Sequence, residues 1–128
     1  MTNMKAISTL QAPSAIGPYS QAIVAGNTVY VSGQLPIDPS TGEFKDGCIR
    51  CKARQSLTNI KNILEAEGLT MKQVVKVTVL LADINDFAAV NEVYADFFEA
   101  PYPARSAFAV AALPKGAPIE IEAIAVKD

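Results

Sequence analysis

The chain has 128 residues, 50% of them hydrophobic and 19% charged, with a net charge of −2. That length and usage fit one globular domain, residues 1–128, able to bury a core, and they exclude a disordered chain. The absence of a basic run leaves no footprint for nucleic-acid binding, and no apolar stretch is long enough to span a membrane or follows Met1–Lys5 as a leader, so the expected location is the cytoplasm.

In chain order, Met4 to Leu10 reads as a short edge strand and Gln11 to Ile16 as a loop held by Pro13 and by Gly17-Pro18. Tyr19 and Ser20 follow, either as strand-edge residues or as pocket donors. Ala22–Ala25 and Thr28–Ser32 flank Gly26-Asn27, a two-residue hairpin signal between β-branched runs. The second of these strands runs into Ser32-Gly33-Gln34, where glycine permits close approach of another strand or a ligand. Asp38-Pro39-Ser40-Thr41-Gly42 is turn chemistry.

Residues 48–67 carry a helical stripe of Ile49, Ala53, Leu57, Ile60 and Leu64, with Gly68 at the C′ position and Leu69 placed to pack back. Cys48-Ile49-Arg50-Cys51 opens this helix. A C-x-x-C serves as a redox motif, as half a zinc site, or as two reduced cysteines in a helix's first turn; the last is the reading adopted. The chain has no histidine and no second C-x-x-C to complete a zinc site. Lack of histidine also excludes a Ser-His-Asp or Cys-His relay, leaving proton transfer to Glu, Asp, Tyr, Lys, water or backbone.

Val74–Leu81 is a strand with Val75, Val77, Val79 and Leu81 expected on one face, Lys76 and Thr78 on the other. Asp83 is a fitting N-cap for a helix over 84–99 with the stripe Ile84, Phe87, Val90, Tyr94, Phe97 and Phe98. Asn91 borders that stripe, its amide expected to bond backbone groups of a neighbouring loop or a ligand. Pro101 and Pro103 are expected to end the helix.

Two strands close the chain, one starting at Arg105 and one at Glu120, separated by a turn at Leu113–Pro118. Alternation puts Arg105, Ala107, Ala109 and Ala111 on one face and Ser106, Phe108 and Val110 on the other. Glu120, Glu122, Ile124 and Val126 alternate with Ile119, Ile121, Ala123 and Ala125. With the more apolar faces taken as core, Arg105 and Glu120 share the opposite face. There they form either a cross-strand ion pair or a small anionic-ligand site with alanines leaving room around the guanidinium. The order β-β-β-α-β-α-β-β predicts an α+β fold with a six-stranded mixed sheet. Two helices cover only one face of such a sheet, so the other, mixed face is an expected subunit interface.

Gly17-Pro18-Tyr19-Ser20-Gln21-Ala22, Ser32-Gly33-Gln34, Asn91-Glu92-Val93-Tyr94, Pro103-Ala104-Arg105-Ser106, Leu113-Pro114-Lys115-Gly116 and Glu120-Ile121-Glu122-Ala123 occur in that order. The ordered set spans nearly the whole chain and closely resembles the reactive intermediate/imine deaminase family, also called Rid or YjgF. The resemblance implies a chorismate mutase-like fold, and a homotrimer with pockets between subunits. It implies hydrolysis of 2-imino or 2-enamino acids, such as 2-aminoacrylate and 2-aminocrotonate, to 2-oxo acids and ammonia. No cofactor and no metal are implied.

By the same resemblance Arg105 is the carboxylate clamp, and Glu120 orients and activates the hydrolytic water. Tyr19, Ser32, Gly33, Asn91 and Ala107 shape the substrate site. Family members often carry cysteine where this chain has Ala107, whose backbone N–H and C=O remain available. An arginine, a glutamate and a water are enough chemistry for a protonated imine, whose carbon is already electrophilic. Two other readings go with the resemblance: a non-catalytic trimer that binds 2-oxo acids, and the translation inhibitor or ribonuclease described for some members. The acidic balance and the lack of a basic stripe weigh against the latter.

Overall fold

The computed structural model describes residues 4–128. In chain order its elements are β1 (Met4–Ile7), β2 (Ala22–Ala25), β3 (Thr28–Gln34), β4 (Ile37–Asp38), β5 (Glu43–Phe44), α1 (Ile49–Glu65), β6 (Val74–Leu81), α2 (Phe87–Tyr94), β7 (Ala104–Ala109) and β8 (Ile119–Val126). Six of the strands form one mixed sheet in the order β1-β2-β3-β8-β6-β7, with β6 and β7 parallel and the other neighbours antiparallel. This is the expected α+β arrangement. The small β4–β5 hairpin is added to it; Asp38 closes its turn by accepting from the Ser40 N–H and hydroxyl at 2.9 and 2.7 Å. Among the described residues no helix is long and apolar enough to cross a membrane.

One face of the sheet is the core. Val29, Val31, Val77, Val79, Leu81, Ile119, Ile121, Ala123 and Ala125 are buried against Ala53, Leu57, Ile60 and Leu64 of α1 and Val90, Val93 and Tyr94 of α2. Fully burying one such leucine contributes about 1.5–3 kcal/mol, so this layer sets where both helices lie. α1 ends as its sequence predicts. Gly68 takes φ +79°, its N–H donates to the Glu65 carbonyl, and the Leu69 N–H donates to the Leu64 carbonyl, each at 3.0 Å. This is a Schellman closure with Leu69 buried.

Three expectations are corrected. Asp83 does cap a helical segment, accepting from the Asn85 N–H at 2.9 Å, but the α-helix stops at Tyr94 rather than at residue 99. The next turns tighten to i→i+3 bonds at Asp96 and Phe97, and Phe98 packs on the Tyr94 ring at 4.6 Å. The α-helix thus ends at Tyr94, well before Pro101, by a change to i→i+3 bonding and not at the prolines themselves. Val75 is exposed because the β6–β8 register shifts between Val74 and Lys76, which breaks the alternation there.

The third correction concerns β7. Arg105 pairs with Val77 and Ala107 with Val79, and those valines pair with Ala123 and Ile121. Paired residues point to the same side, so Arg105 and Ala107 are on the helix-covered face. Glu120 pairs with Leu80, and Leu80 with Phe108, on the open face. Arg105 and Glu120 therefore stand on opposite faces of the sheet. The alanines face inward because α2 takes the space above them, and Phe108 is left 48% exposed.

Candidate active site

The guanidinium of Arg105 is held from α2. Its Nη1 donates to Asn91 Oδ1 at 2.7 Å, and its carbon lies 4.6 Å from the Tyr94 ring centroid and 5.2 Å from that of Phe87. Phe87, Asn91 and Tyr94 are spaced four and three apart, so one turn of helix presents two aromatic faces and an amide to one arginine. Asn91 thus spends its acceptor on Arg105 rather than on a loop. Arg105 remains exposed, and its remaining N–H donors form a fixed fork for a carboxylate. Ala107 is half-buried two residues along the same face. The Tyr94 hydroxyl is buried without a hydrogen-bond partner. Burial raises its pKa, and the Arg105 charge pulls the other way.

Glu120 belongs to a second group, a cavity of about 580 Å³ lined in part by Tyr19, Ser32, Gly33, Lys115, Glu120 and Glu122. The β3–β8 ladder is irregular here: Val31 pairs with Ala123 and Gln34 with Ile121, so Ser32 and Gly33 together oppose Glu122. Such a bulge re-aims side chains beside a site. Gly33 leaves the Glu120 carboxyl its place, since a Cβ there would lie 2.9 Å from Glu120 Cδ and displace that side chain. The Glu120 carboxyl is raised above its ordinary pKa, first by burial and then by the Glu122 carboxylate. It is thus kept ready to exchange a proton nearer neutrality.

Buried amides build the walls. Gln21 accepts from the Thr9 N–H at 2.7 Å and donates to the Pro13 carbonyl at 2.8 Å, which fixes the loop leading to Tyr19. Ser32 donates its hydroxyl to the Ser20 carbonyl at 2.6 Å. Asn59 of α1 donates to the Leu35 and Ile37 carbonyls at 3.3 and 3.0 Å.

One chain therefore carries two separate groups of the expected site residues. Tyr19, Ser32, Gly33 and Glu120 come together; Arg105, Asn91 and Ala107 come together elsewhere. The sequence reading missed Phe87 and Tyr94 as the platform for Arg105, because their helical spacing fits core equally well. It also missed Lys115 as a cavity residue. Lys115 sits in left-handed backbone at φ 59°.

The family model described as Endoribonuclease L-PSP matches residues 9–127. The chain belongs to that family. Among curated relatives, the 2-iminobutanoate/2-iminopropanoate deaminase of Bos taurus is 57% identical to this L-PSP-family chain, over 96% of it and 90% of the relative. Among solved structures, E. coli TdcF with bound serine is 49% identical with a TM-score of 0.92, covering 97% of this chain and 99% of that one. RidA from the Antarctic bacterium Psychrobacter sp. PAMC 21119 is 51% identical with a TM-score of 0.91, covering 95% and 98%.

Proposed function

We propose that this chain is a deaminase that hydrolyses 2-imino and 2-enamino acids to 2-oxo acids and ammonia, in pockets shared between neighbouring copies of a homotrimer. The observation that carries this reading is the division of one chain into two halves on opposite sheet faces. One half is an arginine fork on an aromatic platform, the other a partly buried glutamate in a cavity. Relatives named as imine deaminases supply the reaction class. The serine held by the E. coli relative is an amino-acid carboxylate of the size the site would take.

The trimer rests on the open face. Its rows run Ile23–Tyr30–Ile124–Lys76, Glu122–Thr78–Ser106 and Glu120–Leu80–Phe108. Tyr30 and Phe108 are about half exposed in the single chain. A face that sets exposed aromatic and branched side chains among Lys76, Glu120 and Glu122 is too apolar to be left to solvent, and association buries it. Arg105 lies on the edge strand β7 and is exposed, so a neighbour's β7 edge can be set beside this chain's Glu120 cavity.

In such a pocket Arg105 binds the substrate carboxylate. One of its donors is spent on Asn91, which leaves the rest of the fork for the two oxygens. The Ala107 backbone and the Tyr19 and Ser32 side chains confine the carbon skeleton. Glu120 takes a proton from water as the water oxygen bonds to C2 and the C=N pair moves to nitrogen. The resulting carbinolamine receives that proton on its amine; as the C–N bond breaks, the hydroxyl gives its proton back to Glu120, ammonia leaves and the 2-oxo acid remains. Burial of Glu120 raises its basicity toward this task. The test is to generate 2-aminoacrylate from serine with a dehydratase and follow its decay. Added protein is expected to speed pyruvate and ammonia release, and an unchanged decay rate would refute the assignment.

A further inference from the structure

The two cysteines lie outside both groups of site residues. Cys48 is the N-cap of α1 and Cys51 falls in its first turn; both are exposed, with their sulfurs 3.9 Å apart. A disulfide needs sulfurs about 2.05 Å apart, and the two thiols, on the N-cap and first turn of one helix, already lie in contact. Room beside the Cys51 sulfur is built in. Gly47 takes φ +107°, and a Cβ there would lie 2.9 Å from Cys51 Sγ. The neighbouring backbone N–H groups of Cys51 and Arg50 favour the Cys48 thiolate and lower its thiol below the ordinary range, with Cys51's thiol adding to the effect. Lys52 does not compete for it, since its ammonium donates to the Gly47 carbonyl at 2.7 Å. Arg50 is turned to Glu92 of α2 at 2.9 Å. Among the described residues no cluster of three His, Cys, Asp or Glu lies together, so the pair does not belong to a metal site.

We propose that Cys48 and Cys51 form a thiol–disulfide exchange site for small disulfides, with Cys48 as the attacking thiol and Cys51 as the resolving one. The Cys48 thiolate attacks one sulfur of a disulfide RSSR, forming a Cys48–S–SR bond and releasing RS⁻. The Cys51 thiol, losing its proton to solvent, then attacks Cys48 sulfur and expels the second RS⁻. The chain is oxidised by two electrons to an intrachain disulfide and RSSR is reduced to two thiols; a dithiol reductant reverses the cycle. Both thiols are exposed in the single chain and neither lines the Glu120 cavity.

The test uses the fully reduced full chain and oxidised glutathione as the small disulfide, read by intact mass and thiol alkylation. The wild-type chain is expected to lose two hydrogens and both alkylatable thiols without becoming a covalent dimer. The Cys51→Ser variant should accumulate a glutathione adduct on Cys48. The Cys48→Ser variant should react roughly tenfold more slowly, because it loses the thiol at the N-cap of α1, where the helix N-terminus favours a thiolate. Equal rates for the two single variants, or disulfides only between chains, would overturn the proposal. Both serines replace exposed groups, and circular dichroism confirms folding in each arm. The readout is independent of imine hydrolysis, so it stands or falls apart from the proposed deaminase reaction.

Discussion

The opposite-face placement of Arg105 and Glu120 makes a subunit-complementation experiment decisive. Arg105→Ala removes charge-assisted hydrogen bonds worth about 1.5–3 kcal/mol each and leaves the substrate carboxylate unpaired, a loss of roughly a hundredfold or more in kcat/KM. Glu120→Ala removes the proton acceptor, which contributes roughly a hundredfold or more. Each variant alone should thus retain at most about a hundredth of wild-type activity. In a closed ring each pocket takes Arg105 from one copy and Glu120 from its neighbour. Random mixing of equal amounts gives homotrimers with no intact pocket and heterotrimers with one intact pocket in three, and heterotrimers make up about three quarters of the population. Activity should therefore recover to about one quarter of wild type, well above either parent. The two variants are denatured together, refolded, and assayed for 2-aminoacrylate decay, with native mass spectrometry counting the mixed species. If mixed trimers form and activity stays at the parental level, each pocket is built within one chain and the shared-site reasoning fails.

Four other outcomes follow. Glu122→Gln removes the second cause of the raised Glu120 carboxyl. Activity needs Glu120 ionised and fails as pH falls through its pKa, so the acid limb of kcat/KM should move to lower pH, with burial still holding it above an ordinary glutamate. A limb that stays in place or moves upward contradicts this assignment. Gly68→Ala meets no atom within 4 Å but keeps a left-handed backbone, so chemical denaturation should show a loss of about 1–2 kcal/mol with unchanged activity. Cys48→Ser combined with Cys51→Ser should leave imine hydrolysis within a few-fold of wild type, a large loss in a folded trimer being the contrary result. Arg105→Lys keeps the charge but loses the planar fork that stacks on Tyr94, and should lose roughly ten- to a hundredfold in kcat/KM with melting unchanged.

Element order, the core stripe of α1 and its glycine closure were legible because each rests on local periodicity or on one residue's backbone freedom. The side of β7 that faces the core was not. On most strands a polar row marks the outside, as Glu120 and Glu122 do against Ile119 and Ile121. On β7 the inward row is Arg105, Ala107 and Ala109, while the outward row holds Phe108. Hydrophobicity alone then points the strand the wrong way round. What decides the matter is long-range: β7 runs parallel to β6 in a register that sets Arg105 beside Val77, and α2 lies over that face with Phe87 and Tyr94. Small residues are needed beneath the helix, and the large one is left for the open face. If that face is buried by a neighbouring copy, as proposed, both sides of β7 are interior. A strand interior on both sides carries no inside-outside alternation to read. The same circumstance explains why the motif residues divide into two groups in one chain: residues that serve one shared pocket need only be brought together by the assembly, so each can sit on whichever face its own half of that pocket requires.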